Sequence, residues 1–182
     1  MGADRVALLG SLSKTLSPAI GMGWMALPPA WAAAVNDTEA DFGSCSVLDS
    51  LALAEFIDSG RYDQQLRMLR QRYRARRDAL VTALHRHLPD LEISGLNAGL
   101  HLVLRLPDVL DAADLIRRAH HAGIGLVDGG RYAHPTRGAE PPALVLGYGN
   151  LRDSLVEEAV TGLAALLDSL AEDRRHQPGG RP

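Results

Sequence analysis

The apolar positions at the start of the chain predict two short strands and a short helix. Residues 5–9 (RVALL) and 23–27 (GWMAL) are brief apolar runs closed by glycine or proline, and we expect both to form buried strands. A serine-rich loop joins them. Residues 29–35 predict a short helix, because proline is tolerated in a first turn, and residues 36–43 are polar enough for a loop.

Two helical patterns occupy the middle of the chain. Residues 46–59 are rich in apolar side chains, which predicts a mostly buried helix, and Gly60 follows where helices commonly end. In residues 61–88 the apolar positions step by threes and fours, so they form one stripe along a long helix. Its length suggests a connection between two lobes.

The remaining pattern is that of an α+β lobe. Residues 99–106 (GLHLVLRL) alternate as a half-buried strand does, and residues 142–148 predict a second strand. Helices are predicted at residues 109–122 and 151–170, with a short apolar run at 125–127 between them. The polar residues that follow are expected to fray.

Composition narrows the class of protein. A chain of 182 residues is long enough to bury roughly 70% of its unfolded surface. The net charge of −3 gives no reason to expect nucleic-acid or membrane binding. The single cysteine, Cys45, excludes an internal disulfide. No signal peptide and no apolar run of about 18 residues is present, so we expect a cytoplasmic protein.

One basic residue differs from all the others. Of the 19 lysines and arginines, only Lys14 is a lysine, and it lies in the loop GSLSKTLSPAIG. Schiff-base chemistry requires a primary amine, which arginine cannot supply. Such an amine must have its pKa lowered, by burial or by neighbouring cations, to react at neutral pH. From spacing alone, a surface lysine without chemical function explains the position equally well.

The sequence around Lys14 resembles a known family. The run DRVALLGSLSKTLSPAIGMGWMALPP is similar to the lysine segment of fold-type I aminotransferases, which use pyridoxal phosphate. In detail it resembles the aminotransferase-like domain of the MocR branch of GntR-family transcriptional regulators. The similarity continues through LALAEFIDSGRYDQQLRMLRQRYRARRDALVTAL, AGLHLVLRLP and LVLGYGNL, so it covers nearly the whole chain.

The resemblance implies roles for three residues of the loop. Lys14 would hold pyridoxal phosphate covalently and, in an active transaminase, move a proton between substrate and cofactor. Ser11 matches a hydroxyl that binds the cofactor phosphate, and Ser13 would support the same turn.

The chain also departs from the family pattern at two positions. Where the MocR pattern has an arginine that binds the phosphate, this chain has Gly21. Losing one charge-assisted hydrogen bond would weaken cofactor binding by roughly 10- to 100-fold. Where aminotransferases keep an arginine for the substrate carboxylate, this chain has Val145.

The resemblance implies an α/β fold, the C-terminal portion of a fold-type I transferase. Residues 1–60 would end the large lobe, residues 61–88 would connect the lobes, residues 89–171 would form the small lobe, and residues 172–182 would be a flexible tail. The first half of the large lobe and a winged-helix domain would precede them, so we expect a fragment: a truncated or decayed gene, or a start assigned too late.

The implied function is pyridoxal phosphate binding in a MocR-type regulator that lacks its DNA-binding part. A homodimer and a small amino-compound effector or substrate are expected, with little or no catalysis. Two alternatives remain: a truncated class I/II aminotransferase, or a dimerisation remnant without cofactor. An incomplete lobe should also expose apolar surface.

Other motifs give weaker predictions. Ser11 to Lys14 matches the S-x-x-K motif of serine β-lactamases, but a second lysine motif is needed and no other lysine exists. Seven arginines between residues 61 and 77 are expected to form a solvated helix face rather than a nucleic-acid site. His120 and His121 lack partners at metal-binding spacing, so no metal site is expected. The resemblance places the glycine turn of residues 129–132 near the mouth of the pocket, which makes Arg131 and Tyr132 candidate substrate-binding residues. A turn with a purely structural role is the alternative.

Overall fold

The computed structural model describes residues 3–37, 46–95, 99–132 and 141–176, and it divides the chain into two compact units. The first unit ends at Arg70 and the second begins at Gln71. Cys45, most of the loop predicted at residues 36–43 and the end of the predicted tail lie outside the described residues.

The first unit consists of a two-stranded ladder and helices. Its elements are β1 (Leu8–Ser11), β2 (Gly23–Ala26), α1 (Pro29–Asp37), α2 (Val47–Asp58) and the start of α3 (Arg61–His87). The strands pair antiparallel, with Leu8 facing Ala26 and Ser11 facing Gly23. The first strand starts later than predicted, because Ala3–Arg5 form a 3-10 turn.

The prediction that these strands and α2 are buried is wrong. Leu9 is 74% exposed, Trp24 is 55% exposed and α2 has no buried residue. Among the described residues of the first unit, only Leu12 and Pro28 are buried. An apolar pattern shows that a face is suited to burial, but within the described part of this unit no further layer covers the two-stranded ladder. The expected exposure of apolar surface is confirmed.

The helix boundaries follow from their caps. The Ser46 hydroxyl accepts a hydrogen bond from the Asp49 amide at 3.3 Å, which satisfies a free donor in the first turn of α2. Gly60 has φ +72°, a left-handed conformation that glycine adopts without strain, and α3 begins at the next residue. The predicted positions of α2 and α3 are therefore confirmed to within a residue or two.

The second unit is built on a four-stranded antiparallel sheet. Its strands are β3 (Ile93–Ser94), β4 (His101–Arg105), β5 (Val127–Asp128) and β6 (Ala143–Gly147), in the order β3-β4-β6-β5. Its helices are the end of α3, α4 (Ala112–His121) and α5 (Val156–His176). Val103 faces Val145 across the central pair of strands, β4 and β6.

The bounds of two helices and one short strand of this unit differ from the prediction. Helix α4 begins later than predicted, because the Asp111 carboxylate caps it by accepting hydrogen bonds from two backbone amides. Helix α5 begins at Val156 rather than at residue 151, because Asp153–Leu155 form a 3-10 turn. It continues to His176, so the fraying predicted from residue 172 is wrong for residues 172–176. Strand β3 was not predicted, since two residues carry no readable periodicity.

The hydrophobic core lies in the second unit, on one face of the sheet. Leu102 and Leu104 of β4 are fully buried there, and Leu144 and Leu146 face them from β6. Leucines and valines of α3, α4 and α5 complete the cluster, among them Leu84, Leu115, Val160, Leu163 and Leu167. Because side chains alternate along a strand, His101, Val103 and Arg105 point to the opposite, open face.

Candidate functional site

Lys14 lies in a short turn that directly follows β1. Leu12–Lys14 form a 3-10 turn, and Ser11 caps its start. The Ser11 hydroxyl oxygen accepts from the Ser13 amide at 3.2 Å and donates to the Ser13 hydroxyl oxygen at 3.0 Å. One turn thus presents two linked hydroxyls and a primary amine.

This lysine turn is held in place by its one buried residue and by hydrogen bonds on two sides. Leu12 is 4% exposed, and its amide donates to the Met22 carbonyl at 3.0 Å. The Leu12 carbonyl in turn accepts from the amides of Thr15 and Leu16. The hydroxyls of Thr15 and Tyr62 are 3.4 Å apart, which connects the turn to the first residues of α3. The backbone under Lys14 is therefore fixed while the lysine itself is exposed.

The chemistry of this turn suits an aldehyde that carries a phosphate. An accessible primary amine can condense with an aldehyde carbonyl. Serine hydroxyls donate hydrogen bonds to phosphate oxygens. Ser11, Ser13 and Lys14 supply both kinds of group within four residues. These residues therefore fit the aldehyde and the phosphate of pyridoxal phosphate.

The loop after the turn has space for an added Cβ at Gly21 but not at Gly23. A Cβ added at Gly21 would meet no atom within 4 Å. A Cβ added at Gly23 would lie 2.8 Å from the Gly10 carbonyl oxygen, because the two strands approach closely there. Gly23 is therefore required by packing, whereas the structure permits a side chain at Gly21.

An apolar cavity of about 310 Å³ adjoins the lysine turn within the first unit. It is lined by one carboxylate, Asp49, and by apolar side chains, namely Leu12, Leu16, Ile20, Ala52, Leu53 and Phe56. Phe56 also makes an edge-to-face contact with Tyr62, with ring centroids 6.2 Å apart. The lysine turn thus has an apolar pocket on the side of α2.

The other two predicted site residues lie in the second unit. Arg131 and Tyr132 belong to the 3-10 turn Gly129–Tyr132 that follows β5, and both are exposed. Tyr132 lines a cavity of about 510 Å³ on the open face of the sheet, and Val145 lies on the floor of that cavity. Arg131 is not among the residues that line it. A role for either residue in substrate binding stays a prediction.

The same cavity contains polar residues that the sequence reasoning missed. Ser94, His101 and Arg105 line it from β3 and β4. The signal was present in the alternation of residues 99–106, which places His101 and Arg105 on the face opposite the buried leucines. The alternation predicts the strand, but it does not show that a cavity lies against the strand's polar face.

The arginines of α3 are not all solvated. Arg76 has a side chain only 18% exposed; it donates to the Gly149 carbonyl and pairs with Asp153 at 2.8 Å. The predicted solvated face is therefore wrong at this position, because Arg76 fixes the segment between β6 and α5. Sequence alone could not separate it from its neighbours.

The described ranges contain neither a metal site nor a membrane span. Within them, no group of three or more histidine, cysteine, aspartate or glutamate side chains is arranged to hold a metal ion. His120 and His121 instead make an edge-to-face contact at the end of α4. None of the helices in the described residues is long and apolar enough to cross a membrane.

Comparison with known proteins identifies relatives of two kinds. The family model for aminotransferase class I and II matches residues 1–137. The probable rhizopine catabolism regulatory protein MocR of Rhizobium meliloti is 31% identical over 88% of this chain and 33% of its own length. The 2-aminoadipate transaminase of Thermus thermophilus is 28% identical over 93% of this chain and 42% of its own length.

A solved structure shows the same fold. The crystal structure of LysN, the α-aminoadipate aminotransferase of Thermus thermophilus, matches with a TM-score of 0.79 and 27% identity. It contains N-(5'-phosphopyridoxyl)-L-leucine, and the match covers 92% of this chain and 43% of that one. The chain thus has part of a fold-type I aminotransferase fold, and it spans about a third of the length of the curated regulators it matches.

Proposed function

Because the chain belongs to the aminotransferase class I and II family, we propose that it is a pyridoxal-phosphate-binding domain in which Lys14 holds the cofactor. The observation that carries this proposal is the lysine turn itself. It exposes the chain's single lysine amine beside two hydroxyls, on a backbone anchored by Leu12. The phosphopyridoxyl compound in the related Thermus structure supports the choice of cofactor.

Different residues of the lysine turn bind different groups of the cofactor. The bound cofactor would supply an aldehyde for covalent attachment and an electron-withdrawing ring. Lys14 provides the nitrogen of that attachment, and its Nζ is the group that accepts or releases a proton there. Ser11 and Ser13 donate hydrogen bonds to the phosphate. Leu12 and the link from Thr15 to Tyr62 hold the backbone from which the Lys14 side chain extends.

We further propose that the domain senses a small amino compound rather than transaminating it. The family resemblance expects arginines at the positions of Gly21 and Val145. Glycine has no side chain and valine's is apolar, so neither residue can supply the charged hydrogen bonds of an arginine to a phosphate or a carboxylate. MocR of Rhizobium meliloti, which is similar over most of this chain, is described as a regulatory protein. Arg131 and Tyr132 are the proposed residues on the effector side. We also propose that residues 1–60 end a large lobe, that residues 61–88 connect two lobes and that the small lobe begins at residue 89.

A homodimer is also proposed, as the family resemblance implies. Exposed apolar side chains on α2, such as Leu48 at 78% and Val47 at 72%, support this because they offer surface for association. Light scattering on the purified chain tests it, with a monomer as the contradicting result.

Absorbance spectroscopy tests cofactor attachment at Lys14. Adding pyridoxal phosphate to the purified chain should produce a new absorbance band near visible wavelengths. Lys14→Arg keeps the positive charge but removes the primary amine, and it should abolish the band. Borohydride reduction followed by peptide mass spectrometry then locates the adduct, since the N-terminus is the only other amine in the chain. An adduct at the N-terminus alone would contradict the proposal.

A second measurement separates sensing from transamination. The loaded chain is mixed with a panel of amino acids, and the absorbance of the aminated cofactor is followed. Sensing predicts a spectral shift without accumulation of free pyridoxamine phosphate. Conversion of the bound cofactor to pyridoxamine phosphate, with one equivalent of 2-oxo acid formed from the amino acid, would support the aminotransferase alternative instead.

A further inference from the structure

The apolar cavity of about 310 Å³ in the first unit has a single charged side chain, Asp49, among its described lining residues. The other lining side chains are apolar: three come from residues 12–20, the lysine turn and the loop after it, and three come from α2. The volume is at the lower end of the range for small-molecule sites. Apolar walls of this kind favour the hydrocarbon part of a ligand.

The carboxylate of Asp49 is available to a ligand. The Asp49 backbone amide donates to the Ser46 hydroxyl at 3.3 Å, so the residue is held in the first turn of α2. Its carboxylate makes no ion pair or hydrogen bond with any other described residue. An aspartate side chain is negatively charged at neutral pH, and no basic side chain is among the described residues that line the cavity. The charge at the cavity therefore favours a cation.

The walls of this cavity also hold the lysine turn. Leu12 lines the cavity, and its carbonyl accepts hydrogen bonds from the amides of Thr15 at 3.1 Å and Leu16 at 2.8 Å. On the α2 side, Phe56 lines the cavity and contacts the ring of Tyr62, whose hydroxyl is 3.4 Å from that of Thr15. A ligand in the cavity would therefore contact residues that hold the turn from two sides.

We propose that this cavity binds a small organic cation with an aliphatic body, and that the bound cation strengthens cofactor binding at Lys14. The cation pairs with Asp49, and the body packs against Leu12 and Leu53. The described arrangement of the turn is the one that fits the cofactor, so a ligand that stabilises this arrangement favours cofactor binding as well. The effect on the cofactor rests on the proposed function, whereas binding of the cation does not.

Three probes with the same number of carbon atoms test the preference for a cation. At neutral pH 1-hexylamine is cationic, 1-hexanol is neutral and hexanoate is anionic. Each is titrated into the full chain without pyridoxal phosphate, and NMR chemical shifts give the dissociation constants. Because Asp49 is exposed, hexylammonium should bind about two- to five-fold more tightly than hexanol, and hexanoate should bind more weakly than hexanol. Equal affinities for the three probes would overturn the proposal.

Variants then assign the probe to the cavity. Asp49→Asn nearly keeps the shape of the side chain and should reduce hexylammonium binding to the level of hexanol. Asp58→Asn, at the other end of α2 and outside the cavity, is the matched control and should change neither affinity. Ala52→Leu should fill the cavity and weaken both probes, whereas Ala54→Leu, at an exposed position of α2 outside the cavity, should not. Unchanged hexylammonium binding by Asp49→Asn would contradict the assignment.

Hexyltrimethylammonium tests the effect on the cofactor, because a quaternary ammonium group cannot condense with an aldehyde. In its presence, absorbance titration should give an affinity for pyridoxal phosphate that is tighter by about two-fold or more. By thermodynamic reciprocity, the cofactor should tighten binding of the cation by the same factor. Asp49→Asn should diminish this gain, and Asp58→Asn should retain it. A cofactor affinity that the cation leaves unchanged would overturn the regulatory role.

The two proposals fail separately. Selective binding of hexylammonium without a cofactor adduct at Lys14 would overturn the proposed function and leave the cation site standing. An adduct at Lys14 with equal binding of the three probes would do the reverse. Lys14→Arg removes the reactive amine and should retain the binding of hexylammonium.

Discussion

The indole of Trp24 lies over the backbone of Gly10, its partner across the β1–β2 pair. A Cβ added at Gly10 would overlap the indole ring. Gly10 therefore provides the space in which the ring packs, directly before the lysine turn.

Gly10→Ala should displace the Trp24 ring into solvent. In a Trp31→Phe background Trp24 is the only tryptophan, so its fluorescence reports this contact. We expect a red-shifted emission maximum in the Gly10→Ala variant. Gly21→Ala is the matched control, because nothing lies within 4 Å of its new Cβ. An unchanged spectrum for Gly10→Ala would contradict the packing described.

Gly21→Arg should tighten the binding of pyridoxal phosphate by about 10- to 100-fold, because it restores a charge-assisted hydrogen bond to the phosphate. A Cβ at Gly21 would meet no atom within 4 Å, so the new side chain can begin there without a clash. Titration monitored by absorbance gives the affinity. Ala19→Arg places the same charge on an exposed position of the same loop and should have a much smaller effect. Equal gains for both variants would indicate a general charge effect.

Arg76→Gln should destabilise the second unit by about 1–2 kcal/mol, since the bonds of Arg76 to Gly149 and Asp153 are lost. The free energy of unfolding from denaturant titration measures this. Arg74→Gln changes an exposed arginine of the same helix and should remain within about 0.5 kcal/mol of the unaltered chain. Similar values for the two variants would argue against a structural role for Arg76.

Leu104→Ala should destabilise the second unit by about 2–5 kcal/mol, because Leu104 is fully buried in the centre of β4. Leu9→Ala replaces another strand leucine, which is 74% exposed, and should have almost no effect. Thermal unfolding followed by circular dichroism compares them. A large effect of Leu9→Ala would show that β1 is covered in solution, as it would be in a tight dimer.

Glu157 should make stability depend on acid pH. Its pKa is lowered, first by the hydrogen bond with His87 and then by the one with Arg86. A carboxyl whose pKa is lower when folded contributes fully above its unfolded pKa, about 4.3, and loses that contribution as the pH falls through the folded value.

Unfolding titrations between about pH 5 and pH 3 test this expectation. The unaltered chain should lose more stability over that interval than the Glu157→Gln variant does. Glu158→Gln alters the exposed neighbour and should follow the unaltered chain. The same pH dependence in all three proteins would contradict a role for the bond between Glu157 and His87.

The spacing of apolar residues identified the long helices and strands, but it did not show which of them are buried by neighbouring elements. The stripe of α3 and the alternation of β4 were sufficient to place both, because a buried face repeats over many residues. The same reasoning failed for the burial of β1 and α2, whose apolar side chains are exposed. Burial depends on a partner layer, and a local pattern contains no information about that layer.

The candidate site was predictable where residue type restricts chemistry. A single lysine among arginines pointed to Lys14, and the structure places it on a turn capped by Ser11. Arg105 was missed because arginine is common in this chain, and only the sheet register shows that it borders a cavity. The structural role of Arg76 was not predicted either, because nothing in the sequence distinguishes it from the neighbouring arginines of α3.

The concentration of buried leucines in the second unit has a consequence for amide hydrogen exchange. Backbone amides of β4 and β6 lie over the core and should exchange only when that unit opens as a whole. Those of β1 and β2 lie in an exposed two-stranded ladder and should exchange through small local openings. The backbone that presents Lys14 would then be among the first to exchange, and protection gained there on adding a ligand would map its binding residue by residue.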